Sequence, residues 1–126
     1  IDNAYDNAIL YTDHFLGKTI ELLKRNDSHF ETALFYVSDH GESLGENGIY
    51  LHGMPRAMAP DKQLHIPAVI WLGSAFHDVD MSALRKTSQR HLTHDNVVHT
   101  VLGLMEIKTE LYRPELDLLD CCRMPE

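Results

Sequence analysis

Apolar and small residues recur at helical spacing over the opening of the chain: Tyr5, Ala8, Ile9, Thr12, Phe15, Leu16, Thr19, Ile20 and Leu23. Asp2 or Asn3 is available as an N-cap, and Lys24-Arg25 suits the negative end of a helix dipole, so the pattern predicts an amphipathic helix over residues 3–26. Gly17 within it costs roughly 1 kcal/mol relative to alanine. Asn26-Asp27-Ser28 reads as a turn, and the β-branched and aromatic run from Thr32 to Val37 predicts a buried strand that stops at Ser38. No period is sustained from Gly41 to Lys62, which predicts a long loop, and loops of that length inside a compact domain are usually functional. Ile66 to Leu72 predicts a second strand, with Pro67 tolerable at a first or edge position. Met81 to Lys86 predicts a short helical piece. Thr93 caps a helix over residues 94–105, whose Val97, Val98, Val101, Leu102 and Met105 form the expected buried stripe. The tail from Thr109 is expected to be extended or irregular. Helix, turn and strand in that order predict the α/β class, with a mainly parallel sheet flanked by helices.

Composition changes this picture little. The chain has 126 residues with 44% hydrophobic, enough for one compact unit and far from the signature of disorder. Its formal charge of −8 argues against nucleic acid as a partner, because phosphate backbones are bound by clustered Lys and Arg. The longest apolar run, Ile66 to Leu72, is too short to cross a bilayer. Cys121 and Cys122 are neighbours and have no Cys or His at zinc-ribbon spacing. They read as an oxidisable tail or as bridges to residues outside the chain.

The chemistry gathers after the first strand. Ser38-Asp39-His40-Gly41 delivers a carboxylate and an imidazole, and His52 returns a second imidazole in Leu51-His52-Gly53. Adjacent strand residues point to opposite faces, so Asp39 and His40 can share an ion only where the backbone leaves strand geometry, a turn that Gly41 permits. Carboxylate oxygen and imidazole nitrogen suit zinc, which in catalytic sites takes about three protein ligands and keeps one position open. His52 is available as a further ligand or as a partner for a phosphate oxygen. Glu42 and Glu46 are placed to orient ligand imidazoles, although a solvated loop explains them equally. The remaining histidines, His14, His29, His65, His77, His91, His94 and His99, are scattered and read as surface or core residues, and Tyr50 and Trp71 read as packing residues.

The run from Tyr36 to Gly53 resembles the lipid A phosphoethanolamine transferases of the alkaline phosphatase and sulfatase superfamily, and most closely the mobile colistin-resistance type. The likeness extends through Ala4 to Asp13, Ala59-Pro60-Asp61-Lys62-Gln63, His65 to Trp71, His94-Asp95-Asn96, Leu102-Gly103-Leu104 and Leu111 to Asp117. It implies that residues 1–126 form the C-terminal portion of a periplasmic sulfatase-like catalytic domain, with an upstream catalytic part and an N-terminal membrane domain outside this chain. It further implies Asp39 and His40 as ligands of a catalytic zinc ion and His52 as a contact to the transferred phosphate or to a second zinc ion. The implied reaction moves phosphoethanolamine from phosphatidylethanolamine to lipid A at the periplasmic face of the bacterial inner membrane, giving polymyxin and colistin resistance. A monomer is expected. The family's threonine nucleophile matches no residue here, since Thr12, Thr19, Thr32 and Thr100 fall in helices or a strand, so the chain alone is expected to be inactive. A phosphodiesterase or sulfatase of the same superfamily, and a non-catalytic metal-binding fragment, are the alternatives.

Overall fold

The computed structural model describes residues 2–124. The chain divides into two compact units, Ile1–Leu72 and Gly73–Glu126.

In the first unit, helix α1 (Asp2–Asn26) follows the predicted period. Tyr5, Thr12, Leu16, Thr19, Ile20 and Leu23 form a half-buried stripe along it, while Ile9 and Phe15, also expected inward, face solvent. Strand β1 (Ala33–Val37) pairs with β4 (Ala68–Leu72) from Ala33 opposite Leu72 to Val37 opposite Ala68. The α/β class holds, but this pairing is antiparallel where a parallel sheet is expected. The reason lies in the connection: Ser38 N donates to Pro67 O at 3.2 Å, so the long segment between the strands leaves and returns at the same end of the sheet. A parallel neighbour would require the chain to cross to the other end first.

That segment is more ordered than its composition suggests. A second antiparallel pair, β2 (Ser43–Leu44) and β3 (Tyr50–Leu51), closes around a 3-10 turn at Glu46–Gly48. Three turn positions have positive φ: Gly45 at 129°, Asn47 at 54° and Gly48 at 75°. The short helix α2 (Asp61–Leu64) follows, and its buried Gln63 ties the pair down by donating from Nε2 to Ser43 Oγ at 2.9 Å and to Leu51 O at 3.1 Å.

In the second unit, Asp80 caps α3 (Met81–Thr87), its Oδ1 accepting from Ser82 N and Ala83 N. Helix α4 (Asp95–Leu104) begins one residue later than predicted, with His94 at the N-cap position, while Thr93 Oγ1 accepts from Asp95 N and Asn96 Oδ1 accepts from Thr93 N. Its buried face is shifted from the expected one, with Val97 and Leu102 of the expected stripe only half-buried. Asn96, His99, Thr100 and Gly103 point inward, whereas Val98, Val101 and Met105 are exposed. The tail explains the shift. Its irregular backbone needs side-chain partners, and the polar face of α4 supplies them: Asn96 Nδ2 to Leu116 O, Arg113 N to His99 Nδ1, and Leu118 N to Thr100 Oγ1. Leu118, Leu119 and Cys122 of that tail then join Val79 and Leu84 in the core.

Candidate metal centre

The site grows out of the end of β1. Ser38 Oγ donates to His40 O at 2.8 Å and His40 N donates to Asp39 Oδ1 at 3.1 Å, which folds the chain out of strand geometry within two residues. Gly41 completes the turn because nothing larger fits: its N–H donates to Gln63 O at 3.0 Å, and a Cβ there would collide with the Lys62 carbonyl of α2. The excursion that carries His52 is anchored separately, through β3, with Leu51 at φ 65° and Gly53 at φ 97° on either side of it. A non-glycine residue in the left-handed region stores about 1–3 kcal/mol of strain, so the backbone around His52 is held by its surroundings.

These turns bring His40 and His52 face to face, with ring centroids 3.7 Å apart and planes inclined by 29°. His40 Nδ1 lies 2.9 Å from Gly41 O. A carbonyl only accepts, so Nδ1 carries a proton, and in the neutral ring Nε2 keeps its lone pair. His52 Nδ1 donates to Glu42 Oε2 at 3.0 Å, which leaves its Nε2 as a lone-pair atom too. Asp39 Oδ2 lies 3.7 Å from His40 Nε2. Two ligands each about 2.1 Å from a tetrahedral ion lie roughly 3.4 Å apart, so that spacing is compatible with a shared cation. Ligand atoms of His40, Glu42 and His52 all lie within 4.8 Å of one another.

Asp39, expected as a metal ligand, is thus set beside His40 but stands outside the three-donor group, with its side chain 90% exposed. Glu42 takes the carboxylate place in that group. Its Oε1 is the one buried side-chain oxygen or nitrogen without a partner among the described residues. Such an orphan costs about 1–3 kcal/mol, more when charged, and a cation would relieve it. Two imidazoles and a carboxylate with a spare oxygen therefore fit a divalent metal. Glu46, also considered as an orienting carboxylate, instead accepts from Leu44 N at 2.8 Å and faces Lys62 at 3.6 Å. Backbone hydrogen bonds, assisted by Lys62, hold its carboxyl below the usual range.

An apolar cleft of about 600 Å³ opens beside the donors, lined by Ala4, Tyr5, Ser43, Leu44 and Tyr50 as well as Glu42 and His52. Tyr50, expected as a packing residue, is 55% exposed and forms part of this wall. The contribution of Tyr5 has no local signal in the sequence, since it depends on where α1 comes to rest. The threonines are engaged elsewhere. Thr12 and Thr19 donate to carbonyls one turn back, Thr32 donates to Asp27, and Thr100 is fully buried against Leu118 N.

The family model described as Sulfatase matches residues 1–107. Phosphatidylethanolamine transferase Mcr-2 from Escherichia coli is 47% identical over 106 residues, covering 83% of this chain and 18% of the relative. The structure of the integral membrane protein lipooligosaccharide phosphoethanolamine transferase A (EptA) from Neisseria meningitidis superposes with a TM-score of 0.94 at 46% identity. That match covers 99% of this chain and 24% of the other. The C-terminal periplasmic domain of phosphoethanolamine transferase EptC from Campylobacter jejuni gives a TM-score of 0.84 at 50% identity, covering 94% of this chain and 37% of that one. The chain spans about a quarter of the length of the full-length relatives it matches.

Proposed function

The chain belongs to the sulfatase family, and from that premise we propose that it is the C-terminal, metal-bearing portion of the catalytic domain of a lipid A phosphoethanolamine transferase of the mobile colistin-resistance type. The observation that carries this reading is the convergence of His40, Glu42 and His52 within 4.8 Å at the end of β1. The names of two relatives give it a reaction: those from Neisseria meningitidis and Campylobacter jejuni are phosphoethanolamine transferases, described as an integral membrane protein and a periplasmic domain. On this reading the whole protein works at the periplasmic face of the inner membrane, takes phosphatidylethanolamine as donor and lipid A as acceptor, acts as a monomer and confers colistin resistance. Among the described residues no helix is long and apolar enough to cross a membrane.

The metal is zinc, which the nitrogen and oxygen donors suit. Asp39, His40 and His52 would hold it or face it, with Glu42 orienting His52 and offering its spare oxygen. When bound, zinc supplies Lewis acidity that neutralises charge building on phosphoryl oxygens and lowers the pKa of an attacking hydroxyl. The chain's own residues do the positioning. The Gly41 carbonyl and the Glu42 carboxylate each engage one Nδ1, which in the neutral imidazole places the proton there and leaves Nε2 for a ligand. His52, which lines the cleft together with the apolar Tyr5, Leu44 and Tyr50, would hold a phosphate oxygen of the donor headgroup. The nucleophile comes from outside this chain, whose threonines are engaged structurally.

The test is mass spectrometry of lipid A from a strain without such enzymes of its own, expressing the full-length parent. Phosphoethanolamine should be added to lipid A by the wild type, and Asp39→Ala, His40→Ala and His52→Ala should each abolish it. The sulfatase family match also favours a hydrolase, in which water is the acceptor; unmodified lipid A together with hydrolysis of a phosphodiester or sulfate ester would establish that instead. A chain that neither binds zinc nor responds to Asp39→Ala and His40→Ala would be a structural fragment.

A further inference from the structure

The two cysteines lie in the unit Gly73–Glu126, whereas the metal centre is built in Ile1–Leu72. They occupy a 3-10 turn at Asp120–Cys122, and both are free thiols, Cys121 exposed and Cys122 buried. Their sulfurs are turned to the same side. The two Sγ atoms are 3.3 Å apart, and both point at the Leu118 carbonyl, from 3.9 Å and 3.7 Å. Arg90 donates to Cys121 Sγ from 4.0 Å and steadies the exposed sulfur.

Three uses compete for such a pair. A disulfide fits poorly, because Cα atoms across a trans peptide are about 3.8 Å apart and disulfides ordinarily need at least about 4.4 Å. The peptide between the cysteines is trans. A structural zinc ion needs four ligands, and among the described residues these sulfurs belong to no group of three or more metal donors. What remains is a soft centre that takes two sulfurs and brings its own third substituent. Sulfurs 3.3 Å apart, each about 2.3 Å from a common atom, subtend an angle of about 90° at it. That angle is far from the linear arrangement of a two-coordinate ion and close to that of a pyramidal centre with a lone pair.

We infer that Cys121 and Cys122 form a bidentate thiol site for trivalent arsenic compounds. With an organoarsenic oxide, R–As=O, the two thiols form two As–S bonds and the As=O bond is lost. The oxygen leaves as water with both thiol protons, and no oxidation state changes. Exposed Cys121 makes the first bond; Cys122, held at 3.3 Å, closes the ring.

The experiment treats the reduced protein with one equivalent of phenylarsine oxide, followed by native mass spectrometry and peptide mapping. The expected product is a single adduct, with the mass of the reagent less water, on the peptide carrying both cysteines. A 1,2-dithiol should strip it and a monothiol should not. Cys121→Ser, a change at an exposed position, should weaken binding about a hundredfold through loss of the chelate. Cys122→Ser should do the same, with circular dichroism checking that this buried change leaves the fold intact. Undiminished binding by Cys121→Ser, removal of the adduct by a monothiol, or a Cys121–Cys122 disulfide in place of the adduct would each overturn the inference. None of these outcomes bears on transferase activity.

Discussion

At Glu42 one carboxylate oxygen is engaged and the other is not: Oε2 accepts from His52 Nδ1 at 3.0 Å while Oε1 is buried without a partner. Replacing the carboxylate by an amide keeps the size but removes the charge that orients His52. On the proposed reading of a zinc site, Glu42→Gln should therefore lower metal affinity by about 10–100-fold, the range seen when an orienting partner is lost. Isothermal titration against Glu46→Gln as the control measures it, since Glu46 serves the Leu44 amide and Lys62. Equal loss in both variants would remove Glu42 from its role. Of the expected donors, His40 and His52 carry a signal in the sequence as imidazoles following a strand end, and the structure stacks their rings, whereas Asp39 stands outside the three-donor group. Glu42 was legible only as one of two equivalent acceptors. What separates it from Glu46 is the turn at Gly41, and that turn is set by the Lys62 carbonyl some twenty residues further on.

The helices show how far periodicity carries at the next scale. Residues 2–26 form the helix that spacing and charge predict, because local hydrogen bonds and end effects suffice to define it. Helix α4 was also legible in its boundaries but not in its orientation, since Val98, Val101 and Met105, which looked like core, lie outward and a polar stripe lies inward. Apolar periodicity is blind to a buried partner made of irregular backbone. Gly103 marks the tightest point of that contact: a Cβ there would collide with the carboxylate of Asp117, itself 2% exposed and bonded to Tyr112 Oη and Leu119 N. Helix propensity alone predicts that Gly103→Ala stabilises by about 1 kcal/mol. Overpacking costs about 1–3 kcal/mol, and backbone on one side with a buried carboxylate on the other leaves little room to yield. We expect net destabilisation in urea unfolding, and a gain would show that the tail moves aside.

Across the whole molecule, the class and the kinship were legible while the strand pairing was not. Parallel and antiparallel pairing call for the same residues in β1 and β4, and only the path of the connecting segment distinguishes them. Alkaline stability is also a property of the assembled chain. Burial, reinforced by the neighbouring Cys121, pushes the Cys122 thiol up to about 12 from 9.0. Burial and the hydrogen bond to Asp117 raise the Tyr112 phenol from its ordinary 10.0. Both groups hold their protons more tightly folded than unfolded, so their contribution is complete below about pH 9 and declines as pH rises towards 12. The melting temperature should fall progressively over that range, and Tyr112→Phe should flatten the later part of the decline. A melting temperature independent of pH there would contradict both assignments.

Helix α1 runs for 25 residues without burying one of them fully, and Leu10, Tyr11, Phe15 and Leu22 stand in water. Exposed apolar side chains draw other surfaces to them, so the polypeptide is expected to self-associate when purified by itself. A silent assay on the bare chain therefore has to be paired with sedimentation in mild detergent before the silence is credited to missing chemistry rather than to clumping.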